Sequence, residues 1–142
     1  MRKKLVVLGG GTAGTMVVNK LHKKLDPKEW SITIVDKDNK HLYQPGLLLL
    51  PFGVYEAGEL VKERDHYFPK GIEYIQAEIN RVDADSNTVY LANGKALVYD
   101  QLVIATGTTP RPDQTMGMDD AEIWRKSAVS YTHLTLPTNR EV

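Results

Sequence analysis

Gly9, Gly11 and Gly14 form a Gly-x-Gly-x-x-Gly run whose spacing suits bringing a phosphate group against the peptide backbone. Gly9 permits a tight turn, Gly11 leaves room for a pyrophosphate, and Gly14 lets a helix pack close to a strand. Gly10 completes the turn, and Thr12 and Ala13 open the helix. Their N–H groups have no partner within the helix, so with its dipole behind them they can face phosphate oxygens. Further along, Asp36 is an acid at the expected distance to accept a ribose hydroxyl, with Lys37 beside it. A phosphate loop of the nucleoside-triphosphate type needs Lys-Ser/Thr after its last glycine. Thr15 and Met16 stand there instead, which excludes it. A glycine-rich turn that binds nothing is the simpler alternative, and the acid at Asp36 argues against it.

These residues need particular elements to hold them. Lys4–Leu8 (KLVVL) is a short apolar run, as expected for a strand buried on both faces of a parallel sheet. Thr12–Leu25 places Met16, Val17, Leu21 and Leu25 at helical spacing, with lysines near its end where the dipole favours them. Asp26-Pro27 stops the helix, and β-branched Ser31–Val35 forms a second strand ending at Asp36. Strand, glycine turn, helix and strand make a βαβ unit.

The middle of the chain is less regular. Asn39–Val54 is expected as a loop around Pro45, Gly46, Pro51 and Gly53, and Glu56–Glu63 as one or two helical turns. Ile72–Val82 alternates like a single strand. Thr88–Ala92 and Lys95–Tyr99 flank Asn93-Gly94, a strong hairpin signal because both residues accept positive φ. Gln101–Ala105 is another buried-strand run before Thr106-Gly107, and Thr108–Asp113 reads as extended chain. The expected fold is α/β and Rossmann-like: a parallel sheet with a βαβ start and an inserted antiparallel β-meander.

Composition narrows the function. The 142 residues carry 18 Lys+Arg against 18 Asp+Glu, a balance that argues against nucleic acid as a partner. The longest apolar run, Gly46–Phe52, is far short of the roughly 20 residues of a membrane span. The amino terminus has too short an apolar stretch for a signal peptide, which implies a cytoplasmic-side start. His22, His41, His66 and His133 lack metal-ligand spacing and no cysteine supports them, so no metal is expected. Lys62–Lys70 reads as a solvated polar face, and Leu47–Leu50 as ordinary core packing.

Two later segments carry a resemblance. Tyr99-Asp100-x-Leu102-Val103-Ile104-Ala105-Thr106-Gly107 resembles the Ala-Thr-Gly signature of flavoproteins with two dinucleotide-binding domains. His41–Gly46 with Pro51-Phe52-Gly53 is similar to the segment after the second strand in sulfide:quinone oxidoreductases and type II NADH dehydrogenases. The resemblance covers Lys4 to about Pro112. It implies FAD as cofactor, with Thr106 and Gly107 turning against it and Pro45 approaching the flavin. It also implies that the backbone at Ala77-Glu78 meets the adenine edge. Disulfide reductases of this superfamily carry a redox-active cysteine pair in this region, and no cysteine occurs here, which removes that branch.

The function so implied is electron transfer through flavin from sulfide or NADH to quinone, most like sulfide:quinone oxidoreductase. NAD(P)H would act as donor through a second domain. The expected location is the cytoplasm or the inner face of the cell membrane, with any membrane attachment and the second domain lying beyond this segment. Alternatives are a type II NADH dehydrogenase, an NADH- or ferredoxin-linked flavoprotein, or a non-enzymatic NAD-binding regulatory domain. The meander speaks against the last, since a plain NAD domain continues with βαβ units. Residues 1–128 are expected to be the FAD-binding segment, truncated, with a helical stretch at Ala121–Lys126. Val129–Val142 resembles a translated sequencing adapter, against the alternative of an ordinary polar terminal strand.

Overall fold

The computed structural model describes residues 1–108 and 111–114. The helical stretch at Ala121–Lys126 and the tail from Val129 lie outside the described residues. By its contacts the chain divides into two units, the first made of Met1–His41 and Lys62–Gly107.

The core of this first unit is a four-stranded parallel sheet in the order β5-β2-β1-β9. Its strands are β1 (Lys3–Leu8), β2 (Trp30–Asp36), β5 (Glu73–Gln76) and β9 (Gln101–Ile104). Helix α1 (Thr12–His22) connects β1 to β2. The run Leu5–Leu8 is buried on both sides because successive side chains alternate between two layers. Leu5 and Val7 join Ile32, Ile34 and Val18 of α1 in one cluster. Val6 and Leu8 join Val35, Ala77, Val89, Leu91 and Tyr99 in the other. One short strand thus glues a helix to one face of the sheet and a meander to the other.

That meander is antiparallel, built from β6 (Ile79–Asp83), β7 (Thr88–Leu91) and β8 (Ala96–Val98). The alternating run Ile72–Val82 is therefore two strands rather than one. It breaks at Ala77-Glu78, where the chain leaves the parallel sheet and enters the meander. Alternation is indifferent to which sheet a residue joins, so the switch is invisible in the pattern. The Asn93-Gly94 hairpin forms, but only Gly94 takes positive φ (+84°). Leu91 N–H donates to Lys95 O and Gly94 N–H to Leu91 O, closing a three-residue loop, while the Asn93 side chain accepts from Lys95 N–H.

Helix α1 ends at His22, three residues short of the predicted Leu25, and Lys24 and Leu25 instead close a turn onto Leu21 O. The stretch expected as a loop after Asp36 contains β3 (Lys40–Leu42), which pairs with β4 (Val61–Glu63). The second unit is Leu42–Val61 with the chain from Thr108 onward. Within it, Gln44–Phe52 winds as a 3-10 helix that ends on left-handed Gly53, and Ala57–Leu60 forms a second. Leu60 is fully buried beside Gly46, so the expected helical turns stop at Leu60 and Val61–Glu63 is extended.

Candidate functional site

Most of the residues singled out in the sequence gather at the carboxyl end of the parallel sheet, where α/β folds bind ligands. Gly9 follows β1 in left-handed conformation (φ +94°), and a Cβ there would stand 2.6 Å from Ala105 C and 2.8 Å from Thr106 Cα. The glycine turn is therefore packed directly against the chain leaving β9. A Cβ on Gly14 would collide with the Gly9 carbonyl oxygen, so α1 rests on the turn itself. Gly11, in contrast, has nothing among the described residues within 4 Å of where its Cβ would be. Two of the three glycines are closed in by protein, and the third faces open space.

Gly11 caps α1 with no side-chain hydrogen bond, and no acid lies in the first turn. The amides of Thr12 and Ala13, both exposed, thus meet no carboxylate among the described residues at the positive end of the dipole. Such a cradle can hold a diphosphate.

Asp36 ends β2, as the sequence indicates, and its backbone carbonyl accepts from Ala77 N–H at 2.8 Å. Its carboxylate is more engaged than the sequence suggests. Oδ2 accepts the Gly10 N–H at 2.6 Å and an Arg64 Nη1–H, and Oδ1 accepts the Asp38 N–H at 3.3 Å. The acid thereby ties the end of β2 to the glycine turn. One oxygen retains an open lone pair for a hydroxyl donor, the chemistry a ribose offers.

Arg64 is the residue that sequence reasoning missed. Lys62–Lys70 is predicted to be a solvated face, yet the Arg64 side chain is only 9% exposed. Its guanidinium reaches Asp36, Asp38 Oδ1 at 3.1 Å and the Lys40 carbonyl at 2.5 Å, and its backbone N–H donates to Asn39 O. Its Nε is buried and has no partner among the described residues. A buried donor left unpaired costs about 1–3 kcal/mol, so an acceptor from a ligand or a water would relieve it. Nothing local marks Arg64 out from Lys62 or Lys70. The only signal is the demand of two acids, Asp36 and Asp38, for a counter-charge.

His41 is half-buried with its ring 4.9 Å from that of Tyr67. Burial, and secondarily the nearby Arg64 charge, lower its pKa below the usual 6.5. Tyr74 donates its hydroxyl to Asp38 O at 3.0 Å, and burial chiefly raises its pKa. Glu63, Asp65 and His66 bring ligand atoms within 4.8 Å of one another, although no metal spacing was expected; all three are exposed, and solvated charges of this kind need no ion.

Ala77 is buried at the sheet edge beside Asp36, while Lys37 is exposed and points to no partner among the described residues. Thr106 and Gly107 are exposed just beyond β9, with Gly107 left-handed at φ +71°. Pro45 is exposed near the start of the 3-10 helix in the second unit. Gly9, Gly10, Gly11, Thr12, Ala13, Gly14, Asp36, Ala77, Thr106 and Gly107 all belong to the first unit.

The model of the pyridine nucleotide-disulphide oxidoreductase family matches residues 3–137. A mitochondrial sulfide:quinone oxidoreductase of Dictyostelium discoideum is 31% identical over 117 residues, covering 82% of this chain and 26% of that protein. A type II NADH:quinone oxidoreductase of Staphylococcus aureus is 30% identical over 120 residues, 84% of this chain and 30% of that protein. Among solved structures, the sulfide:quinone oxidoreductase of Aquifex aeolicus superimposes with a TM-score of 0.64 at 28% identity, over 75% of this chain and 25% of that one. The chain thus spans between a quarter and a third of the length of these relatives. With its glycine cradle, meander and parallel sheet, the chain belongs to the pyridine nucleotide-disulphide oxidoreductase family of FAD-dependent oxidoreductases.

Proposed function

We propose that the chain is the FAD-binding part of a quinone-reducing flavoenzyme, most like sulfide:quinone oxidoreductase. One observation carries this reading: Asp36–Gly53, where the disulfide reductases hold their redox-active pair, contains no cysteine. Electrons leaving the flavin then need an acceptor other than a protein disulfide. The names of the two relatives agree on that acceptor, quinone, and differ only in the donor.

In this reading the open backbone at Gly11 and the amides of Thr12 and Ala13 receive the diphosphate, and Asp36 takes the adenosine ribose. The backbone at Ala77 lies along the adenine edge, Thr106-Gly107 turns against the cofactor, and Pro45 meets the flavin. FAD, when bound, supplies the two-electron chemistry, while the protein binds and orients it. A small electron donor and a quinone are the partners, and the protein works in the cytoplasm or peripherally on the inner face of the cell membrane. Among the described residues, no helix is long and apolar enough to cross a membrane.

A type II NADH:quinone oxidoreductase is the second reading, supported by the 30% identity to the Staphylococcus aureus enzyme. The test uses the intact FAD-loaded protein under anaerobic conditions, following flavin absorbance at about 450 nm. Sulfide is expected to bleach it, and a short-chain ubiquinone to restore the colour. Bleaching by NADH but not sulfide selects the second reading. A colourless protein that binds NAD alone overturns both.

A further inference from the structure

Arg64 has no role in the reading above, yet it is the most heavily engaged charged side chain next to the glycine turn. Its guanidinium serves three acceptors at once: Asp36, Asp38 and the Lys40 carbonyl. A planar fork with five N–H donors can do this, whereas an ammonium point charge cannot hold all three in that geometry. Gly10 is what lets it fit, since a Cβ there would lie 2.7 Å from Arg64 Cδ and 3.2 Å from Nη1. The fourth glycine of the turn thus makes room for the arginine, not for a phosphate.

The charges make the arrangement consequential. Asp36 and Asp38 put two carboxylates beside a cradle suited to a dianionic diphosphate, and like charges so close repel. The guanidinium offsets part of that field. It also fixes which Asp36 oxygen is occupied, because Nη1 and the Gly10 amide both take Oδ2. Among the described residues Oδ1 is left with only the long bond from Asp38 N–H.

We propose that Arg64 is a positioning residue for the cofactor, which turns Asp36 Oδ1 toward the adenosine ribose. This rests on the reading of Asp36 as the ribose acceptor. Arg64 acts through Asp36, so its loss erodes recognition of the ribose hydroxyls more than overall binding.

The test compares FAD with its 2′,3′-dideoxyadenosine analogue, binding each to the intact apoprotein and following flavin fluorescence. Wild type is expected to prefer FAD at least about tenfold, the value of one charge-assisted hydrogen bond. Arg64→Met is expected to bring that preference below about threefold, and Arg64→Lys, which keeps the charge and guards against a folding failure, to leave it in between. Asp36→Ala run alongside separates the two ideas. Preference lost in Asp36→Ala but intact in Arg64→Lys and Arg64→Met overturns the role of Arg64 alone. Preference intact in Asp36→Ala, or absent from wild type, overturns the ribose reading beneath it. Equal weakening of both ligands in the Arg64 variants assigns Arg64 to folding only and also overturns the proposal.

Discussion

Gly14 sits on the carbonyl of Gly9, so close that a Cβ on Gly14 would run into that oxygen and stand 3.0 Å from its carbon. The contact brings the first turn of α1 onto the end of β1 and aims its free amides at the space beyond the sheet. Both partners are backbone, which cannot swing aside as a side chain can.

Gly14→Ala should therefore destabilise the protein by forcing α1 off the sheet, at the upper end of the about 1–3 kcal/mol that overpacking costs. Against a total stability of about 5–15 kcal/mol this is a large fraction. Urea unfolding of the apoprotein should show a lower midpoint with an unchanged slope. A midpoint equal to wild type would mean that α1 can lift without cost.

Gly11→Ala tests the opposite case. Among the described residues nothing within 4 Å would meet the new methyl, and φ at this position is −66°, allowed for any residue. Apoprotein stability should change by about 1 kcal/mol or less, the difference between glycine and alanine at an N-cap. FAD affinity should fall at least about tenfold, because the methyl occupies the approach to the backbone. A binding titration beside a melting curve separates the two effects. Equal affinity would place the diphosphate elsewhere.

The contrast between these glycines explains how much was legible in the sequence. The turn, β1, β2 and the acid at Asp36 follow from local pattern, since glycine spacing and apolar runs report directly on nearby backbone. The break at Ala77-Glu78 did not, because alternation has the same period in both sheets that the segment serves. Arg64 was hidden for a different reason. Its partners Asp36 and Asp38 are 28 and 26 residues away, and only the fold brings β3 and β4 side by side. In the second unit the apolar run Leu47–Leu50 is only half core: Leu47 is buried, while Leu48 and Leu49 are exposed on a 3-10 helix.

Asp36 and Arg64 should be strongly coupled in stability as well as in binding. Both side chains are largely buried, with 13% and 9% exposure. Removing Arg64 leaves Asp36 as an uncompensated buried charge, so Arg64→Gln should cost about 3–5 kcal/mol, while Asp36→Asn, which leaves Arg64 its Asp38 partner, should cost less. The double variant should cost clearly less than their sum, with a coupling of about 1–3 kcal/mol. Urea unfolding of the four apoproteins closes the cycle. Simple additivity would show that the pair contributes no interaction of its own.

His41 gives the protein a specific dependence on pH. Burial first, and then the charge of Arg64, hold its folded pKa below the 6.5 of an ordinary histidine. Between those two values the unfolded chain binds the proton that the folded one refuses, so protons favour unfolding there. The contribution of His41 is thus full above pH 6.5, falls as the pH drops through the window beneath it, and levels off below the folded pKa. Half-buried Asp83, whose pKa is lowered by its hydrogen bonds to Ser86, acts only below 3.8 and leaves this window clear. His41→Gln should flatten the stability profile in the window just below pH 6.5 relative to wild type, while leaving the two curves parallel above it. Urea midpoints measured across that range decide the matter. Parallel curves throughout would mean that the folded protein protonates His41 as readily as the unfolded chain does.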